Sequence, residues 1–157
     1  MKWVTREGAK VDRIACPWLI TRFVDHNPEF LFVRKEMIQK IASKENAIPF
    51  DAPGVELTHY VENGSEFVSF DAIIKKYRIR DDALQVLAQI VRGADANIAN
   101  PPLESAGLEA AAIGYRTLAK DDSENMKLQF PLYDALYKYC QLKVKQGVSL
   151  QHSQSMD

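Results

Sequence analysis

The stretch that decides the fold lies near the start of the chain and runs Val11-Asp12-Arg13-Ile14-Ala15-Cys16-Pro17-Trp18-Leu19-Ile20-Thr21-Arg22-Phe23-Val24-Asp25. Its apolar residues mostly recur with a helical period, whereas its charged residues interrupt the apolar face. Asp12, Arg13 and Cys16 fall on one side of a helix that begins near Asp12, because residues three and four positions apart are neighbours. The stretch indicates either a helix that carries a functional site or a core helix with a salt-bridged rim.

Two starts are compatible with this helix. Asp12 could cap its N-terminus, or Pro17 could occupy its first turn, where the missing N–H costs little. In both cases we expect the helix to end near His26-Asn27-Pro28, since the residue before a proline is disfavoured in the α conformation.

The segments that follow this helix predict a small sheet. Phe30-Leu31-Phe32-Val33 is short and aromatic, with a β-branched end, which is typical of a buried strand. Arg34 to Ser43 then has the spacing of an amphipathic helix. Residues 47–60 contain prolines, a glycine and short apolar pairs, which indicates two brief strands around a turn. We expect all these strands to form one sheet.

The remainder of the chain has the periodicity and the capping residues of helices. The expected helices run from Ser69 to Tyr77, from Asp81 or Asp82 to Ala94, from Leu103 to Leu118 and from Pro131 to Gly147. Gly107 and Gly114 would allow a neighbouring element to approach the third of these closely. The predicted fold class is therefore mainly α with a small β-sheet (α+β), in one compact domain over residues 3–145 with a flexible C-terminal tail at 146–157.

The composition is that of an ordinary globular domain, with 46% hydrophobic and 26% charged residues in a chain of 157. A net charge of −1 provides no global field for nucleic acid or an acidic membrane. No apolar run approaches the ~20 residues of a membrane span, and the first residues lack the apolar core of a secretory signal. Cys16 and Cys140 have no zinc-type spacing and suit a reducing compartment. We therefore expect a cytoplasmic protein without a nucleic-acid or membrane partner.

The first candidate site is a basic cluster that comprises Arg6, Arg13 and Arg22, with Lys10 nearby. Guanidinium groups bind tetrahedral oxyanions through paired donors in a planar fork, and a helix N-terminus supplies further N–H groups. The alternative is that the arginines brace the fold by pairing with acidic side chains. The candidates for that pairing are Asp12, Asp25 and Asp51.

The second candidate site combines acidic residues with an imidazole, and its members are Asp51, Glu56, His59 and Asp95. Nitrogen and carboxylate ligands together suit a divalent metal such as Zn, Mn or Fe. If residues 55–60 form a strand, Glu56 and His59 point to opposite faces, so a shared ion requires a bulge or a turn between them. The alternative is that His59 is a hydrogen-bonded structural residue.

The third candidate is Cys16, which lies near Arg13 and near a predicted helix start. Both features would lower the pKa of its thiol and produce a reactive thiolate, which makes it a candidate catalytic residue. The alternative is that Cys16 is a small buried residue of the core, because cysteine is among the most buried residue types.

Several of these segments together resemble one protein family. They are Trp3-x-Thr5-Arg6, the stretch from Val11 to Asp25, Phe50-Asp51-x-Pro53-Gly54-Val55-Glu56-Leu57-x-His59, and Ile90-Val91-Arg92-Gly93-Ala94-Asp95. The family is the chromate-resistance protein domain, which forms the C-terminal part of the regulator found in chromate-efflux operons and also occurs alone. The resemblance extends from about Trp3 to Cys140, and the Asp12–Ile20 block is its most specific part.

The resemblance implies a role in the sensing or tolerance of chromate, or a related oxyanion, beside a transporter. It also implies that the characteristic positions are Arg6, Asp12, Arg13, Cys16, Trp18, Arg22, Asp51, Glu56, His59 and Asp95. One departure is that Val68-Ser69-Phe70 carries a valine where the family often has a cysteine.

Two hypotheses rank nearly equal on these observations. The first is an oxyanion-binding accessory protein for chromate or sulfate, with Arg6, Arg13, Trp18 and Arg22 as substrate-binding residues. The second is a metal-dependent enzyme of undefined reaction, with Asp51, Glu56, His59 and Asp95 as ligands. The remaining alternatives are thiol-based chromate reduction through Cys16 and an interaction protein without a small-molecule site, and a homo-oligomer is left open.

Overall fold

The structure is a computed structural model that describes residues 1–154. Its larger sheet is parallel and has three strands. The strands are β1 (Lys2–Arg6), β2 (Glu29–Val33) and β3 (Ile48–Pro49), in the order β2-β1-β3. Trp3 in β1 lies opposite Phe30 on one side and Ile48 on the other. The sequence predicts β2 but does not indicate β1, because a central strand with consecutive buried residues shows no alternation.

Helix α1 (Asp12–Phe23) connects β1 to β2, since two parallel strands need a crossover. Every residue from Ile14 to Ile20 is buried, so the helix is surrounded by the core rather than amphipathic. The helix begins at Asp12, near the predicted position, but neither of the two capping arrangements expected for its start is correct. Val11 occupies the N-cap position, Asp12 is the first helical residue, and Pro17 lies inside the helix. The helix also ends at Phe23 rather than near His26.

A single turn of 3₁₀ helix (Lys35–Met37) and helix α2 (Ile38–Glu45) occupy the segment predicted to be one helix. After β3, the chain forms a loop and then an antiparallel hairpin of β4 (Tyr60–Glu62) and β5 (Ser65–Phe67). The prediction of one sheet is correct for β2 and β3, which both pair with β1, but the second strand expected within residues 47–60 does not join that sheet, and the hairpin is separate from it. Asn63 and Gly64 both have positive φ, as the tight turn of a hairpin requires, and this Asn-Gly pair was the signal in the sequence.

The second half of the chain consists of four helices, most of which begin where the sequence predicts. They are α3 (Ser69–Lys76), α4 (Asp82–Asp95), α5 (Leu103–Leu118) and α6 (Asp122–Gln146). Asp81 caps α4 by accepting the N–H of Leu84 at 2.8 Å, and Gly147 ends α6 in the left-handed conformation. The predicted class, mainly α with a small β-sheet, is confirmed.

Helix α6 begins well before Pro131, where the sequence predicted its start. Asp121 caps it by accepting the N–H of Glu124, and Pro131 lies inside the helix. The earlier turns contain two buried polar side chains, which hid their helical pattern. Gln129 donates to Asn125 at 2.7 Å, and Asn125 donates to the carbonyl of Ala9 at 3.1 Å.

The glycine that permits close helix packing is Gly93 in α4. A Cβ atom there would lie 2.3 Å from Oγ of Ser105 and 2.9 Å from Cβ of Pro101. The expectation that Gly107 and Gly114 serve this purpose is wrong, because nothing lies within 4 Å of a Cβ built at either position.

The C-terminal segment returns to the start of α5. The N–H of Leu103 donates to the carbonyl of Gln151 at 3.0 Å, the N–H of Ser153 donates to Pro101 at 2.9 Å, and Leu150 is buried. The sequence did not predict these contacts, and the flexibility of the tail stays a prediction; its residues 155–157 lie outside the described residues. None of the helices described for residues 1–154 has both the length and the apolar character needed to cross a membrane.

Candidate functional site

Three carboxylates converge on one imidazole nitrogen. Nε2 of His59 lies 3.1 Å from Oδ2 of Asp95, 3.4 Å from Oδ2 of Asp12 and 3.4 Å from Oδ1 of Asp51. The four residues come from three parts of the fold: the first turn of α1, the loop between β3 and β4, and the last residue of α4. We refer to these four residues as the acid–imidazole cluster.

Asp12 lies at the buried end of the cluster, with 1% of its side chain exposed. Its carboxylate accepts the N–H of Ser69 at 2.8 Å and the N–H of Phe70 at 3.2 Å, so it caps α3 from a distance. It also accepts the thiol of Cys16 at 3.3 Å. Burial raises the pKa of Asp12 to about 7, and the nearby charge of Asp51 contributes to the rise.

The loop after β3 brings Asp51 and His59 together. The N–H of Asp51 donates to the carbonyl of Leu57 at 2.8 Å, and Phe50 and Leu57 form an isolated bridge. Asp51 has a φ of 49°, a left-handed conformation that aspartate tolerates better than most residues. The hydroxyl of Ser69 donates to Asp51 at 2.6 Å, so one serine contacts two of the three carboxylates.

Asp95 closes the cluster from the end of α4. Its Oδ1 accepts the backbone N–H of Asp12 at 3.2 Å, while its Oδ2 faces His59. Arg92 lies one turn earlier and forms two hydrogen bonds with Asp71. The end of α4 is thereby held against the starts of both α1 and α3.

The charged groups of the cluster shift one another's pKa values. Hydrogen bonds that the imidazole donates to Asp12, Asp51 and Asp95 raise the pKa of His59 to about 12, which favours a protonated imidazole. Burial raises the pKa of Asp51, but its hydrogen bonds with His59 and Ser69 outweigh that effect and the net shift is downward. One imidazolium therefore neutralises only part of the acidic charge concentrated at this position.

Three of the four residues form a group that could hold a metal ion. One ligand atom each from Asp12, His59 and Asp95 can be chosen so that all three lie within 4.8 Å of one another. Two carboxylate oxygens and an imidazole nitrogen are a donor set typical of Zn, Mn or Fe. Oδ1 of Asp51 lies 3.4 Å from the same nitrogen of His59 and offers a fourth ligand atom, the third oxygen of the set.

Arg13 is adjacent to the cluster but is largely occupied by the protein itself. Its guanidinium donates to the carbonyls of Arg6, Glu7 and Gly8 at 3.3–3.4 Å. Its Nε lies 3.6 Å from Oδ2 of Asp51. Burial lowers the pKa of Arg13, and the charge of Asp51 opposes that shift. Arg13 thus fixes the turn after β1 and places one positive charge beside the carboxylates.

The cluster forms one wall of a cavity of about 520 Å³. Its remaining charged lining residues are basic, and they are Arg6, Lys10, Arg13, Lys35 and Arg116. Lys10 lies 3.6 Å from Glu109, whereas Arg6, Lys35 and Arg116 have no carboxylate within 4.0 Å among residues 1–154. We call Arg6, Lys35 and Arg116 the basic rim. The cavity therefore combines an acidic wall with unpaired positive charge.

Three of the predicted site residues lie away from this cavity. Arg22 and Trp18, which the sequence assigned to substrate binding, both donate to Asp134 of α6, at 2.9–3.0 Å. Glu56 points outward and lies 2.7 Å from Nζ of Lys76. Glu56 and His59 point in different directions from the loop at residues 51–59, so Glu56 faces Lys76 and solvent while His59, itself 37% exposed, faces the carboxylates. Arg22 and Trp18 lie on the side of α1 that packs against α6. We leave these three residues out of the proposed site.

Cys16 is a buried thiol and not a thiolate. It is 0% exposed, and burial together with the charge of Asp12 raises its pKa well above the ordinary value. The expectation of a lowered pKa is therefore wrong, because the nearest charge is the carboxylate of Asp12 rather than Arg13. Cys140 is also buried.

Sequence reasoning had named Asp12 as a possible helix cap, as a partner for arginine and as a position implied by the family resemblance, but not as a metal ligand, and it missed Ser69, Lys35 and Arg116. Asp12 gave a signal, since it is an acid at the start of an otherwise apolar helix. Ser69 was identified only as a helix cap, and its contacts with two aspartates depend on how α1 and α3 pack. Lys35 and Arg116 gave no signal, because they reach the cavity from elements far apart in the chain.

The fold and the site define a small α+β domain with a charged cavity, which is lined by the start of α1, the loop before β4 and the end of α4 among other residues. Comparison with known proteins identifies the family. The model of the family "ChrB, C-terminal domain" matches residues 3–140, and the chain belongs to this family. The chain is 30% identical over 139 residues to Protein ChrB of Cupriavidus metallidurans. The aligned region covers 88% of this chain and 40% of that protein. The chain thus spans well under half of this curated relative. No solved structure matches it.

Proposed function

We propose that this chain is an accessory domain for resistance to chromate or a related oxyanion, and that it works in the cytoplasm. In this proposal the acid–imidazole cluster holds one divalent metal ion, and the cavity beside it receives the oxyanion, for which chromate and sulfate are the candidates. The membership of the ChrB C-terminal family supports the link to chromate resistance.

The observation that carries the proposal is the convergence of three carboxylates within 3.4 Å of Nε2 of His59. Carboxylates packed so closely repel one another, and they would also repel an anion that enters the cavity. A divalent cation would offset both repulsions and supply a positive centre that an anionic oxygen can approach. The basic rim would then attract the anion from solvent.

The donor set also suits a site that stays open. In this proposal Asp12, His59 and Asp95 would be the ligands, with Asp51 as a fourth ligand or as the partner of Arg13. Zn, Mn and Fe all accept mixed nitrogen and oxygen ligands, and three protein ligands leave a position for an exogenous oxygen. The hydrogen bonds from Ser69, Phe70 and Cys16 to Asp12 would orient that carboxylate, as outer-shell contacts do in known metal sites.

The metal half of the proposal is tested by calorimetric titration of chelator-treated protein with Zn²⁺, Mn²⁺ and Fe²⁺ under anaerobic conditions. We expect one ion per chain for the wild type. His59→Gln and Asp95→Asn should each weaken binding by at least about 10–100-fold, the range seen when outer-shell partners alone are removed. His26→Gln and Asp82→Asn are matched controls, since both residues are exposed and lie outside the cavity. Failure of the wild type to take up any of these ions would show that the cluster is a proton-bridged structural element.

The anion half is tested by titration of sulfate and chromate into the metal-free and the metal-loaded protein. We expect saturable anion binding that is stronger in the metal-loaded protein. Arg116→Gln, in the basic rim, should weaken this binding about tenfold. Arg22→Gln is the matched control, because Arg22 is bonded to Asp134 and does not line the cavity. Equal anion affinity with and without metal, or loss of binding in the control, would contradict the proposed arrangement.

A further inference from the structure

A second cleft lies between the β4–β5 hairpin, α3 and the start and end of α4, and it shares no lining residue with the first cavity. Its volume is about 370 Å³. The cationic residues that line it are Lys75, Arg78, Arg80 and Arg92, and the one acid among its lining residues is Asp71. The whole chain carries a net charge of −1, so the cleft is a local concentration of positive charge on a nearly neutral protein.

Two of these cations are fixed by a stack of aromatic rings. Tyr60 and Phe67 lie face to face across the hairpin, with centroids 5.0 Å apart and an interplanar angle of 13°. The guanidinium of Arg92 lies 4.7 Å from the centroid of Phe67, and Nζ of Lys75 lies 5.1 Å from that of Tyr60. Arg92 is further fixed by its two hydrogen bonds to Asp71, at 2.9 and 3.1 Å. Nζ of Lys75 lies 3.3 Å from the carboxylate of Glu62, so both cations on this side of the cleft already have an acidic partner.

The other two cations are unpaired. Arg78 and Arg80 are exposed, and neither has a carboxylate within 4.0 Å in the described part of the chain. Arg78 follows α3 with a φ of 51°, a left-handed conformation that favours glycine or asparagine after a helix. An arginine at this position is costly for the backbone and brings a free guanidinium to the edge of the cleft.

We propose that this cleft binds a small anion with several charges, of the pyrophosphate or polyphosphate type. The forked donors of arginine match phosphoryl oxygens, and an anion with several charges gains more than a single phosphate from cations supplied by α3, the segment after it and α4. Tyr60 and Phe67 are stacked on each other with a cation over each ring, so they cannot hold a nucleobase. Recognition is therefore by charge and hydrogen bonds, and not by stacking.

The test is calorimetric titration of the full chain with pyrophosphate, tripolyphosphate, ATP and inorganic phosphate. We expect pyrophosphate to bind at least about tenfold more tightly than phosphate, and ATP to bind no more tightly than tripolyphosphate. The double variant Arg78→Gln with Arg80→Gln should weaken binding by about tenfold for each arginine removed. Both residues are exposed and unpaired, so thermal unfolding of the double variant should match that of the wild type.

The first cavity provides the matched control. In Arg116→Gln and His59→Gln, the pyrophosphate binding that the double variant removes should keep its affinity, because neither residue lines the second cleft. Saturable binding that is lost with Arg116→Gln and kept in the double variant would place the anion in the first cavity and overturn the proposal. It would also be overturned by no saturable binding at millimolar pyrophosphate, or by a single-stranded oligonucleotide that binds more tightly than tripolyphosphate.

Discussion

Oδ2 of Asp12 lies 2.8 Å from the backbone nitrogen of Ser69, which is 57 residues further along the chain. The first residue of α1 therefore caps the first turn of α3, while the same carboxylate faces His59. A single buried side chain thus connects the packing of two helices to the charge balance of the candidate site. Asp12 is expected to affect both stability and metal binding.

Replacement of Asp12 should separate these two effects. In Asp12→Ala, the N–H groups of Ser69 and Phe70 lose their acceptor, so the free energy of unfolding should fall by about 3–5 kcal/mol. Asp12→Asn keeps an oxygen acceptor and should remain folded, but it should lose metal affinity. Urea denaturation and metal titration measure the two effects. As a control, Asp82→Ala in the exposed first turn of α4 should lower the free energy of unfolding by less than about 1 kcal/mol. An equal loss in Asp12→Ala and Asp82→Ala would contradict this role of Asp12.

The charge of His59 should make stability depend on pH. Its pKa in the folded metal-free protein is raised from the ordinary 6.5 to about 12 by the three carboxylates. Because the pKa is raised on folding, protonated His59 contributes its full stabilisation below about pH 6.5. This contribution declines as the pH rises toward the folded-state pKa. The stability advantage of wild type over His59→Gln should therefore shrink between about pH 7 and about pH 10 in denaturation measurements. An advantage that grows over this interval would show that the imidazole is neutral in the folded state.

Cys16 should be chemically silent in the folded protein. Its thiol is fully buried and its pKa is raised, so neither a thiol reagent nor chromate should reach a thiolate there. We expect almost no labelling of the native protein and labelling of both cysteines in denaturant. Cys16→Ser should leave any reduction of chromate by the protein unchanged. Rapid labelling of Cys16 under native conditions would contradict its placement in the core.

Gly93 and Gly107 should respond to alanine in opposite ways. Gly93→Ala brings a methyl group against Ser105 and Pro101, so α4 and α5 must separate and the free energy of unfolding should fall by about 1–3 kcal/mol. Gly107→Ala meets nothing within 4 Å, and alanine is the better helix former, so stability should rise by about 0.5–1 kcal/mol. Thermal or urea denaturation gives both values. A neutral Gly93→Ala would mean that the two helices are less tightly packed than described.

Much of the fold could be predicted from local sequence signals. The capping aspartates and the repeat of apolar residues identified α4, and the span Leu103–Leu118 agrees with α5 at both ends. The start of α6 was missed because Asn125 and Gln129 are polar side chains that are nevertheless buried. Gln129 donates a hydrogen bond to Asn125, and Asn125 donates one to the carbonyl of Ala9. The central strand β1 was missed because burial on both faces removes the alternation by which strands are recognised.

The sequence by itself determined the class of the fold, the family, and the residue types that could carry chemistry: arginines early in the chain, and acids with an imidazole in its middle. The tertiary structure decided which of them meet. It brought Asp12, Asp51 and Asp95 to His59, turned Glu56 into solvent, and bound Arg22 to Asp134. The physical reason is that periodicity and caps depend on neighbours within a few residues, whereas the direction of a loop side chain depends on the packing of elements far apart in the chain.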